Sequence, residues 1–352
     1  MNIQILSESE VQQLKSILAP KRNIVVCCHK SPDGDAIGSS LAWASYLRRT
    51  GDEGRKVTVV IPDAAPDFLH WMSGYQEVIR YDKKSEVVRE LLSVADLVCC
   101  LDFNSLSRTE GMQEVLEECQ ADRLVIDHHL NPDIDAVMTI SHPEKCSTSD
   151  MVFNVICQLD GYDDMTLAEA KCIYCGMMTD TGAFAYNSTD PEIFFTIGKL
   201  MKKGVDKDDI YKKVYHNYSM SALKLRAYVI LRKLKHVRAL HACYFTLTKE
   251  EMKRYHYIKG DLEGLVNEPL QVKGMKLSIS LREDTEKPNL VLVSLRSSNG
   301  FHCEEVARRF FNGGGHEDAA GGKLYCSIEE AETVANSAIL AFREQLNKNK
   351  KV

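Results

Sequence analysis

From residue 23 to about residue 200 the chain alternates two textures. Short, continuously apolar runs (NIVVCC, KVTVVI, DLVCCLDF, RLVIDHH) are separated by stretches of helical period (IGSSLAWASYLRR, SEVVRELLSV, TSDMVFNVICQL). A strand that is apolar on both faces has to be covered on both, and helices between successive strands supply the cover. The pattern therefore specifies a parallel sheet with helices on both faces. After residue 237 the texture changes: ACYFTLT, KLSISLRE and NLVLVSLRS read as strands that can pair in a mixed sheet. The expected fold class is α/β, a parallel-sheet domain plus a smaller mixed-sheet α/β C-terminal domain. The length of 352 residues accommodates two such domains. Their expected limits are 1–200 and 237–352, with a basic helical bridge over 201–236.

Charge marks the same divisions. The net charge is −14 over residues 1–200, +7 over 201–236 and +1 over 237–352, which together give the chain's −6. A basic block of this kind is ordinarily a solvated helical surface, although it can also attract a polyanion. No apolar run approaches the ~20 residues needed to cross a bilayer, and the opening MNIQILSESEVQQLKSILAP mixes charges into its apolar positions, unlike a signal peptide. The expectation is a cytoplasmic protein without membrane attachment. Most of the twelve cysteines lie inside apolar stretches, where a reduced thiol acts as a small hydrophobe. The single CxxC, Cys172 and Cys175, has no second pair and falls in a helical pattern, which argues against zinc.

Four polar clusters end the buried elements: His29, Asp33 and Asp35 in CHKSPDGDAIGS; Asp102 in VCCLDFNSLSR; Asp127, His128 and His129 in VIDHHLNP; and Asp180 in GMMTDTGAF. Each has a bland reading by itself, as a turn, a helix cap or a chance pair. Ligand sites of parallel sheets, however, lie at the carboxyl ends of the strands, where these four clusters would converge. Carboxylates crowded there would be forced to protonate unless a cation offset them. Oxygen-rich ligation with a few histidines and no cysteine suits Mn²⁺ or Mg²⁺, with Co²⁺ or Fe²⁺ as alternatives. The number of ligands exceeds what one ion needs, so two ions are expected.

The order HKSPDGDAIGS, LDFNS, DHH, TDTGAF resembles the DHH phosphoesterase superfamily, which includes RecJ-type exonucleases, class II inorganic pyrophosphatases, and nano-RNA and cyclic-dinucleotide phosphodiesterases. The resemblance extends over nearly the whole chain. It implies that one metal takes His29, Asp33 and Asp102, that the other takes Asp35, Asp102, His128 and Asp180, and that Asp102 bridges them. It also implies that His129 faces the substrate phosphate. Asp127 reads as a group that orients a ligand or His129, so the catalytic set is His129, Asp102 and Asp127.

The stretch RRFFNGGGHEDAAGG supplies Gly313, Gly314, Gly315 and His316, with Arg296 upstream in VSLRSSNG. Successive glycines let backbone N–H groups approach an anion, and Arg296 and His316 add cationic or donor groups. The region resembles the DHH-associated domain of the same superfamily, whose GGGH signature binds the part of the substrate away from the scissile bond. A second domain of this kind argues against a pyrophosphatase. The absence of a preceding sensory or membrane segment in the sequence disfavours the membrane-anchored cyclic-dinucleotide branch. The expected substrates are short RNA or DNA oligonucleotides, linear or cyclic dinucleotides, or 3'-phosphoadenosine 5'-phosphate. Exopolyphosphatase activity and nucleotide sensing without turnover are the alternatives. The sequence leaves the oligomeric state open, and a homodimer is compatible with it.

Overall fold

The structure is a computed structural model that describes residues 4–348. It divides into two compact units, Met1–Asn217 and Tyr218–Val352. The segment 201–236, expected as a separate bridge, is shared between them. Its positive charge is partly balanced within each unit. In the first, Lys213 pairs with Asp209 at 2.6 Å and lies 4.9 Å over the Trp71 ring. In the second, Lys233 pairs with Glu251 at 2.7 Å.

The first unit carries six strands: β1 (Asn23–Cys27), β2 (Lys56–Ile61), β3 (Ile79–Arg80), β4 (Leu97–Leu101), β5 (Asp122–Asp127) and β6 (Met138–Ser141). All are parallel, in the order β3-β2-β1-β4-β5-β6. Helices α1 (Glu8–Leu18), α2 (Gly34–Thr50), α3 (Ser85–Ser93), α4 (Gln113–Glu118), α5 (Thr148–Gln158), α6 (Leu167–Asp180), α7 (Pro191–Lys202) and α8 (Lys207–Tyr215) complete it. The strand period of two divides the core. Ile24, Val26, Cys99, Leu124 and Ile126 face a cluster with Trp43, Phe153 and Ile173, whereas Val25, Val98, Cys100 and Val125 face Val88, Leu92 and Leu116. Both faces are therefore covered, as the continuous apolar runs require. The order reverses direction between β1 and β4, the switch point at which a doubly wound sheet opens a crevice.

The second unit has β7 (Lys235–Val237), β8 (Ala242–Leu247), β9 (Leu277–Glu283), β10 (Val291–Ser297), β11 (Gly314–His316) and β12 (Ala319–Leu324), with α9 (Met220–Tyr228), α10 (Lys249–Arg254), α11 (Glu304–Phe310), α12 (Ile328–Ala341) and α13 (Arg343–Asn347). The sheet order is β11-β12-β10-β9-β8-β7; β8 and β9 are parallel and the other neighbours antiparallel, so the sheet is mixed. Val293, Leu295 and Ile279 pack on Val306, Ile339 and Phe342 of the helical layer. On the opposite face Leu225, Val229, Met252 and Leu265 cover Phe245 and Leu247 of β8. The β10-β12-β11 end of that face carries exposed Ser294 and Gly314.

All twelve cysteines are free and ten are buried, Cys172 and Cys175 among them on α6, which fits packing rather than metal or redox chemistry. No helix among the described residues is long and apolar enough to cross a membrane.

Candidate metal centre

The strands β1, β4 and β5 are adjacent, and each ends in part of the site. His29 follows β1, Asp102 follows β4, and Asp127 closes β5 ahead of His128 and His129. Asp102 has a left-handed backbone, φ 65°, a conformation that Asp tolerates better than most residues and that is often stored at functional sites. Asp35 comes from the first turn of α2, and Asp180 is the last residue of α6.

Those two helices are drawn together by small residues. A Cβ on Gly38 would stand 2.5 Å from the Cys172 carbonyl, and one on Gly176 would stand 1.9 Å from Ser149 Oγ and 2.8 Å from Asp35 Oδ1. Only glycine permits this approach. It sets the α5 N-terminus against Asp35, whose Oδ2 accepts from the Thr148 N–H at 2.7 Å and whose Oδ1 accepts from the Ser149 N–H at 2.8 Å. The helix dipole and two N–H donors thus hold this carboxylate in place. Thr148 Oγ1 donates to Asp102 Oδ1 at 3.0 Å. Thr148 and Ser149 are therefore site residues that motif reading passed over. Their sequence signal is STSD at the start of a helical pattern, an N-cap signature with Ser147 accepting from the Asp150 N–H.

The donor atoms converge. His29 Nε2 lies 3.4 Å from Asp102 Oδ2 and 4.0 Å from Asp33 Oδ1. His128 Nε2 lies 3.6 Å from Asp102 Oδ1, 3.9 Å from Asp35 Oδ2 and 3.5 Å from Asp180 Oδ2. His29, Asp33 and Asp102 form one cluster with ligand atoms within 4.8 Å of one another, and Asp35, Asp102 and His128 form a second. Asp102 belongs to both. Ligands held about 2.1 Å from one small divalent cation are about 3–3.5 Å apart when cis, and the shorter of these separations, 3.4, 3.5 and 3.6 Å, are close to that spacing. Asp33 has a further duty: its Oδ1 caps α2, accepting from the N–H groups of Asp35 and Ala36, both at 3.0 Å.

The histidine tautomers fit the same use. Nδ1–H of His29 donates to the Lys30 carbonyl at 2.8 Å, and Nδ1–H of His128 to the Lys145 carbonyl at 3.2 Å, leaving each Nε2 lone pair aimed at the carboxylates. His129 differs. Its Nδ1–H donates to Asp127 Oδ1 at 2.7 Å, while the buried Asp127 Oδ2 has no hydrogen-bond partner.

The electrostatics describe a site strained without a cation. Burial, together with the charges of Asp102 and Asp180, pushes the Asp35 carboxyl well above its usual range. Burial also opposes ionisation of Asp102, but the hydrogen bond and charge of His29, followed by His129 and His128, hold it below the usual carboxylate range. For His128, burial favours the neutral ring, yet Asp180, Asp102 and Asp35 outweigh it and raise the pKa to about 9. Burial keeps His129 lowered in spite of Asp127. Crowded carboxylates and inward Nε2 atoms together fit divalent cations.

The second unit places its expected residues differently from a flexible glycine loop. Gly314, Gly315 and His316 form β11, paired antiparallel with β12. Packing explains two of the glycines: a Cβ on Gly313 would meet the Gly321 carbonyl at 1.8 Å and one on Gly315 the Ala319 carbonyl at 2.5 Å, whereas Gly314 faces open space. Ala319 is the cross-strand partner of both His316 on β11 and Arg296 on β10. Arg296 and His316 thus share one row and one face, about 10 Å apart across the small Ala319.

Residues 23–177 match the DHH family, N-terminal domain, and residues 243–345 match the DHHA1 domain. The crystal structure of an exopolyphosphatase-related protein from Bacteroides fragilis is similar at 43% identity, covering 98% of this chain and 99% of that one with a TM-score of 0.90. The bifunctional oligoribonuclease and PAP phosphatase NrnA of Thermus thermophilus is 29% identical over 88% of this chain and 86% of its own length. The protein of the same name from Bacillus subtilis is 23% identical over 88% of this chain and 92% of its length.

Proposed function

The chain belongs to the DHH family of metal-dependent phosphoesterases, with a DHHA1 domain as its second part, and we propose that it hydrolyses short oligonucleotides, dinucleotides and 3'-phosphoadenosine 5'-phosphate with two Mn²⁺ ions. The observation that carries this reading is the pair of ligand clusters sharing Asp102. His29, Asp33 and Asp102 would hold one ion, and Asp35, Asp102, His128 and Asp180 the other. When bound, the cations supply Lewis-acid polarisation of the phosphate and a water acidic enough to ionise near neutral pH.

The chain's own residues do the remainder. Asp127 fixes the His129 ring through Nδ1, so Nε2 is the atom at which a proton is held or passed to the leaving oxygen. Thr148 and Ser149 keep the carboxylates of Asp102 and Asp35 from rotating. The water oxygen adds to phosphorus, the bond from phosphorus to the leaving oxygen breaks, and that oxygen takes up a proton. Arg296, His316 and Gly313 to Gly315 bind the part of the substrate away from the scissile bond. The relatives named as oligoribonuclease and PAP phosphatase support the nucleotide reading. The similar Bacteroides fragilis protein is described as exopolyphosphatase-related, which favours inorganic polyphosphate as a second reading.

A substrate panel assayed with Mn²⁺ separates the two. The expected result is turnover of linear dinucleotides and 3'-phosphoadenosine 5'-phosphate, with polyphosphate left intact. Arg296→Ala should lower kcat/KM about 10- to 150-fold on dinucleotides, the cost of one charge-assisted contact, and little on a small chromogenic phosphodiester. Turnover of polyphosphate alone would replace the nucleotide reading.

A further inference from the structure

Beyond β4 and Asp102 the chain enters a seven-residue 3-10 segment, Leu106–Met112, that stands beside the metal centre. It is fastened at Arg108 and at Glu110 to the residue that follows the ligand His29. The Lys30 N–H donates to the Arg108 carbonyl at 2.8 Å, and the Lys30 ammonium pairs with the Glu110 carboxylate. Glu110 itself is held at φ 44° and ψ −104°, outside the helical region. Non-glycine residues rarely adopt such conformations on their own, so the segment is fixed by its surroundings rather than by its own preference.

The Arg108 side chain is half-buried. Among the described residues it has no carboxylate within ion-pair distance and no side-chain hydrogen bond, although five carboxylates crowd the neighbouring site. The hydrogen bond from the Lys30 N–H to the Arg108 carbonyl keeps Arg108 beside the residue that follows the ligand His29. A half-buried guanidinium whose donors no protein group takes up is open to an anion that can accept from them. The acidic residues here are turned inward as metal ligands, so that anion comes from outside the protein.

Resting on the phosphoesterase reading, we propose that Arg108 is a catalytic residue whose guanidinium grips the non-bridging oxygens of the scissile phosphate from within the first unit. Its planar fork matches two phosphate oxygens, which a lysine cannot do. The role differs from that given to Arg296: Arg108 acts at the reacting phosphorus, so its contribution does not depend on what the rest of the substrate carries.

The test uses the full chain loaded with Mn²⁺, as wild type, Arg108→Ala and Arg108→Lys. Arg108→Ala is expected to keep the wild-type manganese content and melting temperature. It should lose about 10²–10³-fold in kcat, equally on a linear dinucleotide and on bis(p-nitrophenyl) phosphate, and recover part of the loss when guanidinium is added. Arg108→Lys should stay well below wild type. Calorimetric titration with inorganic phosphate should show binding to the alanine variant weakened at least tenfold. Unchanged turnover and phosphate binding would overturn the proposal, and so would a loss accompanied by lost manganese and insensitive to guanidinium, which marks a structural residue. A wild-type enzyme inert on every phosphoester would sink the phosphoesterase reading, and phosphate titration would still decide the role of Arg108.

Discussion

Thr148 carries more of the site than its residue type announces. Its backbone N–H holds Asp35 and its hydroxyl holds Asp102, so one residue orients a carboxylate in each ligand cluster. Thr148→Val keeps the shape and the N–H but removes the hydroxyl. Outer-shell losses of this kind cost about 10–100-fold in metal affinity, and that range is expected for Mn²⁺ by competitive chelator titration, with the fold unaffected. Wild-type affinity would mean that Asp102 needs no such support. The eight residues expected as ligands or their partners were readable because histidine and aspartate after an apolar run are conspicuous. Thr148, Ser149 and Arg108 were not, because hydroxyls at a helix start and an arginine in a turn are common everywhere, and only the three-dimensional register gives them meaning.

Among the elements, the apposition of α2, α5 and α6 decides where Asp35 and Asp180 stand, and glycines decide the apposition. Gly176→Ala would force a methyl group against Ser149 and Asp35. Overpacking of this kind costs about 1–3 kcal/mol, measurable by denaturant unfolding, and Mn²⁺ affinity should fall with it because Ser149 supplies an N–H to Asp35. Unchanged stability and affinity would show that α5 shifts freely. The parallel strands β1, β2, β4 and β5 were legible from their continuous apolar runs. The two-residue β3 and the exposed, polar positions of β6 gave no such signal. In the second unit β12 reads AAGGKL, a sequence with little strand propensity. It is a strand because Gly322 admits the close neighbour Phe311 and Gly313 and Gly315 let the chain before and along β11 approach β12 closely.

For the whole molecule, metal and stability are linked through protons. In the metal-free protein His128 has a folded pKa of about 9 against an ordinary value of 6.5. A raised pKa contributes stability that is fully present below the unfolded value and is lost as pH rises through the folded one. Asp35, also raised, acts in the same direction. The metal-free protein should therefore lose melting temperature between about pH 6.5 and 9, and the Mn²⁺-loaded protein should not, since the cations take the place of those protons. Parallel pH profiles for the two forms would contradict the assignment of His128 and Asp35 to the metals.

The paired centre itself is tested by adding Mn²⁺ in measured equivalents to metal-free protein while following both bound metal and hydrolysis of a linear dinucleotide. With Asp102 shared between two ions, turnover should be absent at zero equivalents and should level off only when two ions per chain are bound. Full turnover at one bound ion, or turnover in verified metal-free protein, would contradict the two-ion centre.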